Sequence, residues 1–314
     1  APKLKHEGDV PFAWVYARGE LDGTFRKPVF RGVIEATDLQ WRRWSLDYLV
    51  ARVLASPERV TVESGIIRRP PMEITWQGDL QQPLDAEKAQ ISVDGVANNV
   101  DAQEVLAALR EVPDGASPPP IEAIGRVFFH IAGNLRSPTA DLTLSVPTAQ
   151  IQHWSLTNLS GSLRYEEGTL KVAPLSARLG DGVLKVEGER DNEGRLSFRV
   201  EGEHLPLAQI RPLLSEDAPQ GISGEASVRG VLSGTENELQ FRGELLTEDA
   251  VWDVLKLSKG YAEIEWRKDE LNARNVHLTS PEAEVTLRSL RFASAPRAVD
   301  VEGTLSISSL EQLS

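Results

Sequence analysis

An all-β chain with short helices at the junctions of a repeat is what this sequence predicts. Three observations carry the prediction: apolar and polar residues alternate with period two, turn-forming residues separate the alternating stretches, and a unit of roughly 100 residues recurs three times.

Alternation is the mark of a strand with one greasy face and one wet face. Leu142, Leu144 and Val146 alternate with Thr143 and Ser145, and Leu196, Phe198 and Val200 alternate with Arg195, Ser197, Arg199 and Glu201. Val299, Val301, Gly303, Leu305 and Ile307 keep the same period. It also runs through 126–133, 161–165, 169–173, 183–188, 225–230, 238–245, 261–266, 270–278 and 283–288. Glu167-Gly168, Asp181-Gly182, Asn192-Glu193-Gly194 and Gly234-Thr235 supply the turns between them.

Helical patterns are few. Asp101 to Arg110 opens with Asp101 and Glu104 spaced as an N-terminal capping pair, and Val105, Leu106 and Leu109 form a stripe behind them. Leu207 to Leu214 and Ser308 to Leu313 are the other two, the former weakened by Pro212. The breakers Pro113 to Pro120 and Pro219 to Gly221 follow the first two.

The repeat is read from these landmarks. Leu109, Leu214 and Leu313 close the helical pieces, and Gly19, Gly133 and Gly230 end strands. From 21 to 25 residues after each glycine comes a tryptophan with apolar residues behind it, at Trp44, Trp154 and Trp252. Three β-groove repeats therefore tile the chain at 12–112, 122–215 and 221–314, with a proline-rich linker at 113–121 and an array expected to continue beyond both ends.

Composition narrows the function. The 314 residues carry 34 Lys+Arg against 47 Asp+Glu, a net charge of −13, with no basic stripe to meet a phosphate backbone, so a nucleic-acid partner is not expected. At 40% hydrophobic residues most of the chain can fold. With no cysteine, disulfides, thiolate metal sites and Cys nucleophiles drop out. No apolar run is long enough for a membrane-spanning helix. The chain opens at Ala1 and its one methionine is Met72, so it reads as an excised or processed piece of something longer, with any membrane anchor to be sought outside it.

One apolar face must be covered by something. Stacked at ~4.8 Å, roughly 20 strands would run on the order of 100 Å, and a seven-residue strand of ~23 Å could curl around an acyl chain. A sandwich or a filled solenoid has the same sequence period. The inward set is mostly Leu, Val, Ile, Ala and Phe with few polar anchors, which leans toward an elongated curved sheet forming a taco-like groove with an apolar interior.

The repeat units, the strand pairs "GELDG" (Gly19 to Gly23) and "GVLSG" (Gly230 to Gly234), and "HLPLAQIRPLL" (His204 to Leu214) resemble the AsmA-like and TamB-like proteins of double-membraned bacteria. The resemblance covers nearly the whole chain. It implies a greasy β-groove crossing the periplasm within a longer protein anchored in the inner membrane. The implied role is to carry phospholipid between membranes or to assist outer-membrane protein assembly, with inner- and outer-membrane proteins as partners at the ends. The chain lacks both the anchor and a recognisable family C-terminal domain.

Site chemistry is weighed against plain structure. The histidines His6, His130, His153, His204 and His277 have no metal-ligand spacing, so no metal or cofactor is expected. His130 reads as a solvent-facing strand residue or a backbone acceptor. Glu166/Glu167, Glu187/Glu189 and Glu263/Glu265 could pair for acid–base work, but Glu263 and Glu265 flank Ile264 as outward residues flank an inward one. Gly180-Asp181-Gly182 precedes a strand and reads as a hairpin turn rather than a phosphate cradle, and Gly221-Ile222-Ser223-Gly224 lacks the spacing of a nucleophile elbow. No enzyme is expected. The recurring tryptophans, Trp41 among them, read as structural knobs, and Arg42 and Arg43 as a contact for an anionic headgroup.

The function expected is thus a non-enzymatic segment of a lipid conduit between membranes. Its groove is lined by Leu142, Leu144, Val146, Leu163, Leu170, Val172, Leu196, Phe198, Val200, Leu239, Phe241, Ile264, Val285, Leu287, Val301 and Leu305. The alternative is a scaffolding β-repeat array of the cell envelope whose side chains fill their own core.

Overall fold

The computed structural model describes residues 12–41, 44–104, 121–151, 154–209, 222–235, 238–252, 255–267, 270–281, 283–294 and 297–307. The chain is all-β. Its strands are β1 (Phe12–Thr24), β2 (Lys27–Trp41), β3 (Trp44–Ala55), β4 (Arg59–Arg69), β5 (Met72–Gln81), β6 (Gln90–Asp101), β7 (Ile121–Asn134), β8 (Ser137–Ile151), β9 (Trp154–Glu166), β10 (Thr169–Leu179), β11 (Gly182–Arg190), β12 (Leu196–Pro206), β13 (Ile222–Thr235), β14 (Glu238–Trp252), β15 (Leu255–Arg267), β16 (Glu270–Thr279), β17 (Ala283–Ser294) and β18 (Arg297–Ile307). Strand lengths recur in sixes: β1, β7 and β13 have 13, 14 and 14 residues, and β2, β8 and β14 have 15 each.

Two compact units divide the chain, Ala1–Pro147 with Leu163–Glu167 and Thr148–Ser162 with Gly168–Ser314. In the first, β1 to β7 pair antiparallel, each with the next. In the second, β10 to β18 do the same. Neither run closes on itself, so each unit is an open sheet.

Long strands stay in one sheet because bulges re-aim them. Asp38, Asn99, His204, Asp249 and Asn275 have positive φ, and each sits at a register shift. Asn, Asp and His tolerate that backbone region better than other residues with a β-carbon. An extra residue there moves the apolar set to the other parity without changing its face. In β4, for example, Val60 and Val62 hand over to Gly65 and Ile67.

Turns follow the sequence reading. Gly180 and Asp181 form a two-residue turn closed by the Leu179–Gly182 pair, and Gly180 takes φ +62. Of the expected helices, 102–104 and 207–209 are helical, while 105–110, 210–214 and 308–313 lie outside the described residues, as does 113–120 of the linker. Asp101 Oδ1 accepts the Gln103 N–H at 2.8 Å, as a cap should. Glu104 does not complete the capping box through the structure's side-chain bonds; its carboxylate takes the Arg69 guanidinium at 3.0 Å, across from β4.

Candidate functional site on the apolar side of the strands

Cross-strand partners share a face, so the registers sort every side chain. In the first unit four rows of seven run from β1 to β7. They are Val15–Ala36–Leu49–Ile67–Ile74–Ala97–Val127, Ala17–Ile34–Ala51–Gly65–Trp76–Gly95–Phe129, Gly19–Gly32–Val53–Val62–Gly78–Val93–Ile131 and Leu21–Phe30–Ala55–Val60–Leu80–Ile91–Gly133. All are apolar or glycine.

The second unit repeats the arrangement over nine strands. One row is Leu175–Val186–Val200–Gly230–Gly243–Ile264–Ala273–Leu290–Val301 and the next is Val172–Gly188–Phe198–Leu232–Phe241–Trp266–Leu271–Phe292–Val299.

Most large side chains on the inner strands of this face are half-buried, while Val15, Leu21, Val299 and Val301 on β1 and β18 are exposed. In the first unit's rows the buried residues are Ala36, Ala51, Val53, Gly65 and Ala97, whereas Ile34, Leu49, Ile67, Ile74, Trp76 and Phe129 are half-buried. Among the described residues only Leu179 has a large side chain below 2% exposure. A face covered by a second packed layer would bury most of its Ile, Leu and Phe.

Aromatic rings fill the space that glycines leave. A β-carbon on Gly65 would run into the Trp76 ring, one on Gly95 into Phe129, and one on Gly230 into Phe241. The Trp76 Nε1 is buried and has no hydrogen-bond partner among the described residues.

The opposite face is mostly polar and charged, with an apolar patch in the first unit at Val50, Ile66, Val96 and Phe128. Lys185–Glu201–Arg229–Glu244–Glu263–Arg274 is one row across β11 to β16. Arg242 and Arg267 both reach Glu265 Oε1, at 3.1 and 2.6 Å, and hold that carboxyl below its usual range, with Arg267 the larger influence. Asp79 is held down by Arg59 and then Thr61. Two shallow depressions lie on this side, about 660 Å³ among Arg242, Glu244, Glu265 and Arg274, and about 740 Å³ around Ile66, Val96, Phe128 and His130. His130 Nδ1 sits 2.7 Å from Asp94 Oδ1. Glu263 bonds Asn275 at 3.0 Å and faces away from Ile264. Among the described residues no group of three His, Asp or Glu could hold a metal, and no helix is long and apolar enough to cross a membrane.

The residues singled out in the sequence fall on the apolar side. Val172, Phe198, Phe241, Val200, Ile264 and Val301 stand in the two rows of the second unit, and Leu170, Leu196 and Leu239 in a neighbouring row that Arg190 interrupts. Val285 pairs with Leu305 and Leu287 with Gly303, in the same alternation. Val146 lies against Gly125, and Leu142 and Leu144 alternate with it. Arg164 reaches Asp141 on the charged side, which leaves Leu163 on the other. Val301 is the outlier in burial, 59% exposed; among the described residues of its unit β18 has β17 as its one ladder neighbour. Trp154 is half-buried. Arg42, Arg43 and His153 lie outside the described residues.

Sequence reasoning named Leu142, Leu144, Val146 and Leu163 as lining residues in the first unit but none of the residues in the β1 to β7 rows, among them Ile34, Leu49, Ile74, Trp76 and Phe129. Gly65, Gly78 and Gly95 stand where it looks for apolar residues, and the shift after Val62 reverses the alternation.

No protein-family model, no curated protein and no solved structure matches the chain.

Proposed function

We propose that the apolar face is a lipid-holding surface, the lining of a β-groove that shields phospholipid acyl chains while they move between two membranes. The observation that supports it is the continuity of the apolar rows together with the partial exposure of their Ile, Leu, Phe and Trp side chains. Such a face is unstable against water at ~25 cal/mol per Å² and gains by taking hydrocarbon.

Length suits the task. At ~4.8 Å per strand, nine strands span ~38 Å, against ~15 Å for one leaflet of a ~30 Å hydrocarbon core. A tail can slide from strand to strand with no step at which it is fully hydrated, a step that would cost ~0.8 kcal/mol per methylene. Headgroups stay in water at the rim, and no covalent chemistry is involved. The setting for this task is the periplasm, within a longer protein anchored in the inner membrane and contacting membrane proteins at its ends.

Phe198→Asp with Phe241→Asp tests the reading. Phe198 and Phe241 stand in one row, separated by Leu232. The reading expects lipid recovered with the purified chain to fall severalfold while circular dichroism stays that of a β protein. Unchanged recovery from a folded double variant would mean that no tail lies there.

A further inference from the structure

The turns at one end of the first unit carry apolar side chains where turn chemistry calls for small polar ones. Because β1 to β7 run antiparallel, each with the next, the turns that follow β1, β3, β5 and β7 leave the sheet at the same end. Phe25 after β1 is fully exposed at 108%, Leu84 after β5 is 82% exposed and Leu135 after β7 is 43% exposed. Hairpin tips favour Asn, Asp and Gly. The turn between β11 and β12 in the second unit has them, in Asn192-Glu193-Gly194.

Equivalent hairpins repeat the pattern. Strand lengths recur in sixes, so the turn after β7 corresponds to the turn after β1. One reads Gly23-Thr24-Phe25-Arg26-Lys27-Pro28 and the other Gly133-Asn134-Leu135-Arg136-Ser137-Pro138. Both glycines take positive φ, +90 and +106, and in both the next side chain accepts a turn N–H: Thr24 Oγ1 from Lys27 at 3.2 Å, Asn134 Oδ1 from Arg136 at 2.9 Å. Flanking residues thus meet the needs of the turn and leave an apolar residue followed by an arginine at each tip. At the third such place the sequence has Glu236-Asn237 after Gly234-Thr235.

The tips are tied to one another. Lys27 Nζ lies 3.0 Å from Glu58 Oε1, the Gln82 N–H donates to Glu58 O at 2.8 Å, and the Leu135 N–H donates to Ala89 O at 2.9 Å. Within 82–89 the N–H groups of Lys88 and Ala89 donate to Asp85 O, Asp85 Oδ2 takes the Lys88 ammonium at 2.9 Å, and Ala89 is fully buried. Leu84 is therefore held outside by a loop whose own bonds are made.

We propose that this end of the first unit docks on a phospholipid bilayer, with Phe25, Leu84 and Leu135 entering the boundary between headgroups and acyl chains and Arg26 and Arg136 meeting lipid phosphates. At ~4.8 Å per strand the turns after β1 and β7 stand ~29 Å apart, with the Lys27–Glu58 pair between them. Three separated side chains do not make the central desolvated cluster on which a protein interface depends, whereas a fluid interface takes each one independently. The two arginines keep their guanidinium groups at the level of the phosphates while the neighbouring apolar side chain goes deeper. The same contact brings the apolar row nearest these turns, from Leu21 to Gly133, to the membrane. The proposal rests on the turns and not on what the apolar face holds.

Because the chain has no cysteine, single cysteines carry an environment-sensitive dye to chosen positions. On vesicles of phosphatidylethanolamine and phosphatidylglycerol, the dye at Phe25→Cys, Leu84→Cys and Leu135→Cys is expected to shift to the blue, and the dye at Glu193→Cys, on the polar turn of the second unit, to stay as in buffer. The parent chain should float with the vesicles. Phe25→Ser with Leu84→Ser and Leu135→Ser should cut the floated fraction about tenfold, and Arg26→Glu with Arg136→Glu severalfold. All five side chains are exposed, so circular dichroism of the variants should match the parent's. A parent chain that does not float, a triple variant that floats as the parent does, or an equal shift at Glu193→Cys would overturn the proposal, and the first of these would leave the tips to a protein partner. Co-purified phospholipid reports on the apolar face and not on the tips, so the two readings fail separately.

Discussion

Trp76 and Gly65 are partners across the β4–β5 ladder, and the indole occupies the space where a β-carbon on Gly65 would stand. Phe129 with Gly95 repeats the relationship, and Phe241 covers Gly230 diagonally, from two residues before Gly230's own partner Gly243. Rings laid over glycines of the next strand keep an otherwise thin apolar face continuous, the arrangement that rescues glycines in sheets.

A consequence is that Gly65→Ala should destabilise the chain by ~1–3 kcal/mol, the usual cost of overpacking. The urea midpoint would fall with an unchanged slope. A midpoint equal to the parent's would show that the indole moves aside freely and that the pair is not a fixed contact.

Ile264 and Glu265 are neighbours in sequence on opposite faces. Ile264→Asp is expected to lower phospholipid recovery severalfold, whereas Glu265→Gln is expected to leave it unchanged. Equal losses from both variants would point to general unfolding, to be checked by near-ultraviolet circular dichroism.

Trp76 and Trp266 stand in apolar rows. In single-tryptophan variants, phospholipid brominated on its acyl chains should quench both. Quenching by headgroup-labelled lipid alone would place tails elsewhere.

Acid should unfold the chain through its charged face. Asp79, Asp191, Glu265 and Glu270 are held below the usual carboxylate range by Arg59, Arg195, Arg267 and Asn272 respectively, each the largest influence on its partner. Groups with a lowered folded pKa stabilise above the unfolded value, about 4, and that contribution is lost as pH falls through the folded value. The urea midpoint should therefore hold between neutral pH and about pH 5 and drop below about pH 4. Asp79→Asn should shallow that drop, and an unaltered pH profile in this variant would remove Asp79 from the account.

The strands were legible in sequence wherever alternation ran unbroken, as in Leu196–Phe198–Val200 and Leu142–Leu144–Val146. They were harder to read where a bulge reversed parity: Leu170 and Val172 give way to Leu175 and Ala177, and Leu271 and Ala273 to Val276 and Leu278, on one face throughout. Positive-φ Asn and Asp within strands were the available signal, at Asp38, Asn99, Asp249 and Asn275. Glycines hid the face of β1 to β7, because a glycine beneath an aromatic ring looks like a turn in sequence. The cross-strand partners of Glu265 and Asp79 were not legible at all, since each depends on a neighbouring strand's register.

The most direct measurement of the central claim is native mass spectrometry of the purified chain, with lipid extraction from the same sample. The account predicts phospholipid bound at more than one copy per chain and lost on Phe198→Asp with Phe241→Asp. A lipid-free chain that also fails to bind an apolar dye in its native state would contradict it, and would mean that the apolar faces are covered by protein.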